Sequence, residues 1–335
     1  MKTVCQAIDV IPNIHGQIAL IIINIALSIT AIFGNALIIA ATWRSNHLRS
    51  QTPTYFILSL AISDFLVGLV VQPMYALILI DWSSKTCRLH YYKFAIAFFM
   101  CSVSIGNGIC VCLDRMLHIT KPFHYENYIT KKRALVLCIC LWVVGVAIGI
   151  MAIHPATELL MAYGATSEMI VSLLTWIYCA LKIYEVGQQQ IERISQTNLS
   201  VVDAKKRVLM EMKLASSLVA VLATIIICWV PFAVINIILL YIVEGENIDT
   251  NKWKLLFELR LWTVLFGYSK STINIFIFSL TNRDIKKAIR NTLGIFRKRR
   301  SGVTNSCLTE LNNENVNNSY IPNYGSHNKI QNLEK

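Results

Sequence analysis

The stretch GYSKSTINIFIF, Gly267 to Phe278, sets one lysine inside a run of aromatic, aliphatic and small residues. What that ammonium costs depends on the solvent around it, and composition settles the solvent. Of 335 residues 55% are hydrophobic and only 15% charged, and the mean hydropathy is +0.53. This is too apolar a balance for an ordinary soluble domain and points to a membrane protein. A hydrocarbon core about 30 Å thick calls for roughly 20 mostly apolar residues per spanning helix.

Seven runs of that kind occur, at Gln17 to Trp43, Pro53 to Ile80, Tyr91 to Ile119, Ala134 to Ile153, Met169 to Tyr184, Leu214 to Val243 and Leu255 to Leu280. The fifth is the weakest. The expected fold is an all-α membrane protein, a seven-transmembrane helix bundle over residues 17–280. The links after the first, third, fifth and seventh runs hold Arg44 and Arg49, then Lys131 to Arg133, Lys205 to Arg207, and Arg283 with Lys286, Lys287 and Arg290. Because cytoplasmic loops carry the excess of Lys and Arg, residues 1–16 are expected outside and the C-terminus in the cytoplasm. The formal charge of +12 then faces anionic membrane lipid and does not imply nucleic acid.

Residues 1–16 do not read as a signal peptide, so the first span is expected to direct its own insertion. Residues 281–296 space Ile285, Ile289 and Leu293 on one face with basic residues opposite, the pattern of a short amphipathic eighth helix on the inner membrane surface. Residues 297–335 open with the basic RKRR and turn Asn-rich and polar, a composition expected to stay disordered. The N-x-S/T sequons at Asn198 and Asn317 both fall on the predicted inner side. Seven of the ten cysteines lie in spans, where they read as small apolar residues. Cys5 and Cys87 face the exterior and leave a disulfide between them open.

Polar groups inside the spans are costly and tend to line an interior path or site. They are Asn35, Asp64, Ser104, Asn107, Asp114, Arg115, Asn236, Lys270 and Asn274. Asn35 and Asn107 read as interhelical packing groups. Asp64 with Lys270, and Asp114 with Arg115, carry charge and call for more.

FGNALI around Asn35, LSLAISDFLVG around Asp64, LDRMLHITKPFHY from Leu113, Trp142, CWVPF from Cys228 and GYSKSTIN from Gly267 together resemble the rhodopsin-like G-protein-coupled receptors. The ordered set covers roughly Gly34 to Leu293. The resemblance implies a plasma-membrane receptor that activates heterotrimeric G proteins, with arrestin and receptor kinases as further partners through the tail. No run of the sequence resembles a catalytic nucleophile–base set or a metal cluster, so no catalysis, metal or cofactor is expected.

By that resemblance Asp114 and Glu211 hold Arg115 in a resting state, and opening of the sixth helix exposes a groove for the G protein. A guanidinium can exchange carboxylates for carbonyls without losing its charge. Pro231 is expected to kink the sixth helix, Trp229 to act as a toggle below the ligand, and Phe123 to offer the G protein an apolar contact. Asp64, Ser104, Lys270, Ser271 and Asn274 match the family's internal sodium site. The position of Lys270 is normally neutral there, so its ammonium is expected to stand in for the ion beside Asp64.

The implied ligand pocket is lined by Ala97, Phe98, Cys101, Trp229, Phe232, Asn236 and Tyr268, an apolar set suited to a small or amphiphilic ligand. Ala97 stands where amine receptors hold an aspartate, which argues against the usual recognition of amines. WVPFAVIN is similar to the adenosine-receptor segment. The absence of a cysteine between His154 and Glu168 and of a proline in the fifth run is similar to the melanocortin and lipid receptors. Met116, Ile275 and Phe278 replace a tyrosine, a proline and a tyrosine of the family pattern. Two other functions use a buried lysine. A retinal photopigment needs it at the level of Tyr268, whereas Lys270 lies two residues on, about 200° around the helix. A transporter or channel would show repeats or broken helices, and none is evident.

Overall fold

The computed structural model describes residues 13–81, 87–153, 158–196, 209, 223–224, 226–239 and 250–294, and among them there is no strand. The helices are α1 (Ile14–Arg44), α2 (Pro53–Ile80), α3 (Cys87–Thr120), α4 (Lys131–Ile153), α5 (Glu158–Gln196), α6 (Ile226–Leu239), α7 (Thr250–Thr281) and α8 (283–294). α1 to α5 are each long and apolar enough to cross a membrane. Helices are the economical answer in hydrocarbon, since each satisfies its own backbone groups. The chain is an all-α membrane bundle.

α1 shows why the chain folds this way round. Ile14, Ile18, Ile22, Ile25, Ile29 and Phe33 recur every three or four residues and are exposed, whereas Asn24, Ser28 and Asn35 are buried on the opposite face. A helix with its apolar side outward and its polar side inward is matched to lipid. α5 extends beyond its apolar run of Met169 to Tyr184 at both ends. Its flanks are too polar to count as span by hydropathy, yet they continue the same hydrogen-bonded helix.

α2 is interrupted by a single π turn at Val67–Val71. There the Gln72 N–H reaches back to the Val67 carbonyl, so the next carbonyl, that of Gly68, would look to residue 73. That residue is a proline and has no N–H. Ser28 of α1 supplies the donor, its Oγ lying 2.8 Å from the Gly68 oxygen, and Asn24 Nδ2 lies 2.8 Å from the Gln72 oxygen. The buried polar face of α1 thus satisfies the irregular turn of α2.

Two apolar clusters fill the bundle. One joins Ile38, Leu48, Phe56, Leu60, Phe278 and Ile285; the other joins Leu20, Val71, Tyr75, Phe257, Leu261 and Tyr268. Asp64 falls between them along α2. α3 is central, touching α2, α4 and α5. The described residues up to Ile289 form one compact unit; residues 290–294 are helical.

α4 reaches the α3 backbone through Gly145 and Gly149. A Cβ at Gly149 would stand 3.0 Å from Phe99 Cβ and 3.1 Å from the Ala95 carbonyl oxygen, contacts that a helix backbone cannot yield. Gly149→Val is expected to lower stability by about 1–3 kcal/mol, the usual cost of overpacking. A thermal-unfolding midpoint equal to that of the unchanged receptor in the same detergent would contradict the close approach.

Candidate functional site

The polar layer between the two clusters is built from three helices. Asp64 comes from α2, Ser104 from α3, and Lys270, Ser271 and Asn274 from α7, where spacings of one and four residues put them on one face. Lys270 Nζ lies 2.6 Å from Asp64 Oδ1 and also donates to Ser104 Oγ. Ser271 Oγ donates to the same Oδ1 at 3.0 Å, and Asn274 Nδ2 to Oδ2 at 2.9 Å. The Lys270 and Asp64 side chains are 3% and 1% exposed. The structure therefore brings all five of the sequence-predicted polar residues together.

Such a pair is held by necessity more than by profit. Each ion loses its water, and the mutual attraction repays this only when the remaining lone pairs and protons are also bonded. Here both carboxylate oxygens are engaged, and the ammonium has two oxygen partners. The residues do not fit a sodium ion, because the ammonium already holds the Asp64 and Ser104 oxygens that would bind one. Lys270 is also spoken for by Asp64, on a different face of α7 from Tyr268. Asn35 Nδ2 bonds the Ala31 oxygen at 2.9 Å and lies 3.4 Å from the Ser271 oxygen. Asn107 Nδ2 bonds the Val103 oxygen at 2.7 Å.

At one end of α3, Arg115 Nε and a terminal nitrogen donate to Asp114 Oδ2 at 2.9 and 2.5 Å. The Tyr125 hydroxyl donates to Oδ1 at 2.6 Å, and its ring meets His118 edge-on at 4.9 Å between centroids. Burial first, and then the adjoining Asp114 charge, hold the Tyr125 phenol above its ordinary pKa, so it stays a donor. Phe123, in the turn Pro122–His124, is 95% exposed. Glu211 lies outside the described residues. So do Cys5 and the side chain of Cys87.

Toward the other end the aromatic candidates join. Trp229 and Phe232 of α6 pack edge-on at 5.5 Å, and Trp229 meets Tyr268 of α7 at 6.1 Å. Phe232 meets Phe94 at 6.5 Å and Phe94 meets Phe98 at 5.4 Å. Ala97 packs beside this group and Cys101 beside the neighbouring cluster at Ile105. Gly267 admits the Trp229 ring, which would stand 3.0 Å from a Cβ there. Trp229 Nε1 is buried and finds no partner among the described residues. Asn236 turns to its own helix, with Nδ2 on the Phe232 oxygen at 2.6 Å, and Pro231 sits within α6.

Sequence reasoning missed four members. Tyr75 packs against Tyr268 at 5.7 Å and bonds the Leu261 oxygen at 2.9 Å. Lys93 is buried against it, Arg260 faces Phe94, and Glu168 accepts from Ser102 Oγ at 3.1 Å. Their charges sit near the ends of the apolar runs, where they read as boundary residues; only α-periodicity with Phe94 and Tyr268 could have turned them inward.

The family model described as "7 transmembrane receptor (rhodopsin family)" matches residues 34–159. The chain belongs to the rhodopsin-like seven-transmembrane receptors: it is a G-protein-coupled receptor, a multi-pass protein of the plasma membrane with an extracellular ligand and a G protein as partners. It is 27% identical to the D(1A) dopamine receptor of Didelphis virginiana, the match covering 81% of this chain and 72% of the relative. It is 25% identical to the histamine H2 receptor of Cavia porcellus, covering 81% and 78%, and 27% identical to the D(1A) dopamine receptor of Xenopus laevis, covering 81% and 71%.

The thermal midpoint of the purified receptor is expected to be the same in sodium and in choline chloride at equal ionic strength, and to become sodium-dependent in Lys270→Asn. Asp64→Asn should cost about 3–5 kcal/mol by stranding the ammonium, and Asp64→Asn with Lys270→Asn should recover part of it. Strictly additive losses in that cycle would refute the pairing.

Proposed function

We propose that the receptor lies with the Lys- and Arg-rich links in the cytoplasm, takes its ligand among the aromatic side chains of α3, α6 and α7, and couples through the Asp114–Arg115 end. The observation that carries this reading is the axial order of the three groups. The aromatic cluster and the Arg115 cluster lie toward opposite ends of α3, with the Lys270–Asp64 pair between them. A ligand that shifts Trp229 against Gly267 moves α7, and α7 bears three of the polar layer's five residues. Phe123, with almost no contact of its own, is suited to an apolar recess on the G protein. Arrestin and receptor kinases would meet the same face through the tail.

The ligand is small or amphiphilic. The relatives are named for dopamine and histamine, but Ala97 offers no carboxylate at its place on α3, and the acid that reaches α3 from α5 is Glu168, at Ser102. Its bond to Ser102 turns it toward α3, which supports a role as acceptor for a ligand donor. The same arrangement disfavours a photopigment, since Lys270 is held by Asp64.

Constitutive nucleotide exchange at high receptor density tests the coupling end. Arg115→Ala is expected to bring exchange to background while surface amounts stay normal; undiminished exchange would sink the assignment. Tyr125→Phe should raise basal exchange at matched surface amounts, because it removes one of the bonds that fix Asp114 against Arg115. The bias between such states is a few kcal/mol, so losing one bond shifts populations visibly. Basal exchange that does not change would show that Tyr125 imposes no restraint.

A further inference from the structure

We infer that Lys93 and Arg260 form an anion-holding subsite beside the aromatic cluster, and that the ligand of this receptor carries a carboxylate. The inference rests on the receptor reading above and adds the charge of the ligand. Lys93 is only 2% exposed. Its Nζ lies 4.8 Å from the Tyr75 ring centroid and 5.6 Å from that of Phe94. The Arg260 guanidinium carbon lies 5.5 Å from the same Phe94 ring. Two basic side chains, from α3 and α7, thus both lie over one aromatic ring, which also meets Phe98 and Phe232.

Neither cation has a carboxylate partner among the described residues. The Tyr75 hydroxyl is committed to the Leu261 carbonyl. Glu258, two residues before Arg260, accepts the Asn13 N–H at 3.1 Å. Glu168 bonds Ser102, nine residues from Lys93 along α3, a rise of about 13 Å. Ring faces attract a cation, but they do not replace its lost water or accept its protons. Nor does the Lys93 stem carry its nitrogen out to solvent, as an unpaired lysine at a span end ordinarily would. Two like charges near one ring also repel, so an anion bound by both relieves both costs. A guanidinium fork matches the two oxygens of a carboxylate, while the lysine supplies a rotatable point charge.

The recognition polarity is therefore reversed relative to a receptor with an acid on α3. The apolar body of the ligand lies along Phe94, Phe98 and Phe232 with its carboxylate at Lys93 and Arg260. Glu168 at the far end accepts a hydroxyl or ammonium where the ligand has one.

The test uses the full chain in lipid nanodiscs with 3-phenylpropionate, its amide 3-phenylpropanamide, phenethylamine and phenylalanine at millimolar concentration, read as the shift in thermal midpoint. The acid and phenylalanine are expected to stabilise and the amide not. Lys93→Gln and Arg260→Gln should each weaken the apparent affinity for the acid by about tenfold or more, the effect of a lost charge-assisted hydrogen bond. Lys93→Arg and Arg260→Lys, which keep the charge, should retain most of it and control for folding. Stabilisation by phenethylamine alone would leave the aromatic site standing and overturn the anion subsite. An acid response unchanged in both glutamine variants would overturn it too, and no response to any probe would remove both the subsite and the ligand site it depends on.

Discussion

A lysine and an aspartate that cannot both be there without each other organise this molecule. In the middle of a bundle wrapped in lipid, neither ion has water to fall back on, and each must find every bond it needs from the helices around it. Asp64 therefore fixes the rotation of α7, which has to present Lys270, Ser271 and Asn274 at once, and Lys270 fixes α3 through Ser104. Apolar packing alone would let these helices slide and turn past one another at small cost. The polar layer removes that freedom and sets the register in which the two apolar clusters close above and below it.

The same logic, at smaller scale, recurs where the helices are irregular. The π turn of α2 releases carbonyls that lipid cannot satisfy, and α1 answers with Ser28 and Asn24. At the Arg115 end, one carboxylate is shared by a guanidinium and a phenol, so all three side chains are held by mutual need. α4 approaches α3 through glycines, the usual way for helices to touch when no hydrophobic force drives them together. Polar satisfaction and close backbone approach thus do in lipid what apolar burial does in water.

The class of fold was legible because a span is a local property: some twenty apolar residues announce themselves without reference to any other part of the chain. The end of α5 was not, since its polar flanks continue a helix that hydropathy alone truncates. In the polar layer, Asp64 and Lys270 stood out as charges with no business in hydrocarbon, and the family resemblance supplied the frame that put them face to face. Lys93, Arg260 and Glu168 are ionisable too but sit near run ends, where a basic or acidic residue ordinarily marks the border with water. Whether such a group turns in or out depends on the rotation of its helix, and that rotation is set by contacts from other helices. The inward turn of Asn236 onto its own backbone was hidden for the same reason, because an amide's choice of partner depends on what else is within reach.

The π turn at Val67–Val71 also has a geometric meaning. A wide turn is equivalent to one surplus residue in the helix, and each residue of an α-helix carries the chain about 100° around its axis. Everything in α2 beyond the turn is indexed separately from everything before it. Asp64 keeps its aim at α7 on one side of the joint, while Tyr75 keeps its own, with its hydroxyl on the Leu261 carbonyl and its ring beneath Lys93. Removal of that surplus residue would restore an unbroken α-helix and leave Tyr75 and Asp64 each facing as they do, whereas closing the turn with every residue kept would swing Tyr75 about 100° around the axis. The joint thus lets α2 carry one residue more than a regular helix while the buried ion pair on one side and the Tyr75 contacts on the other keep their places.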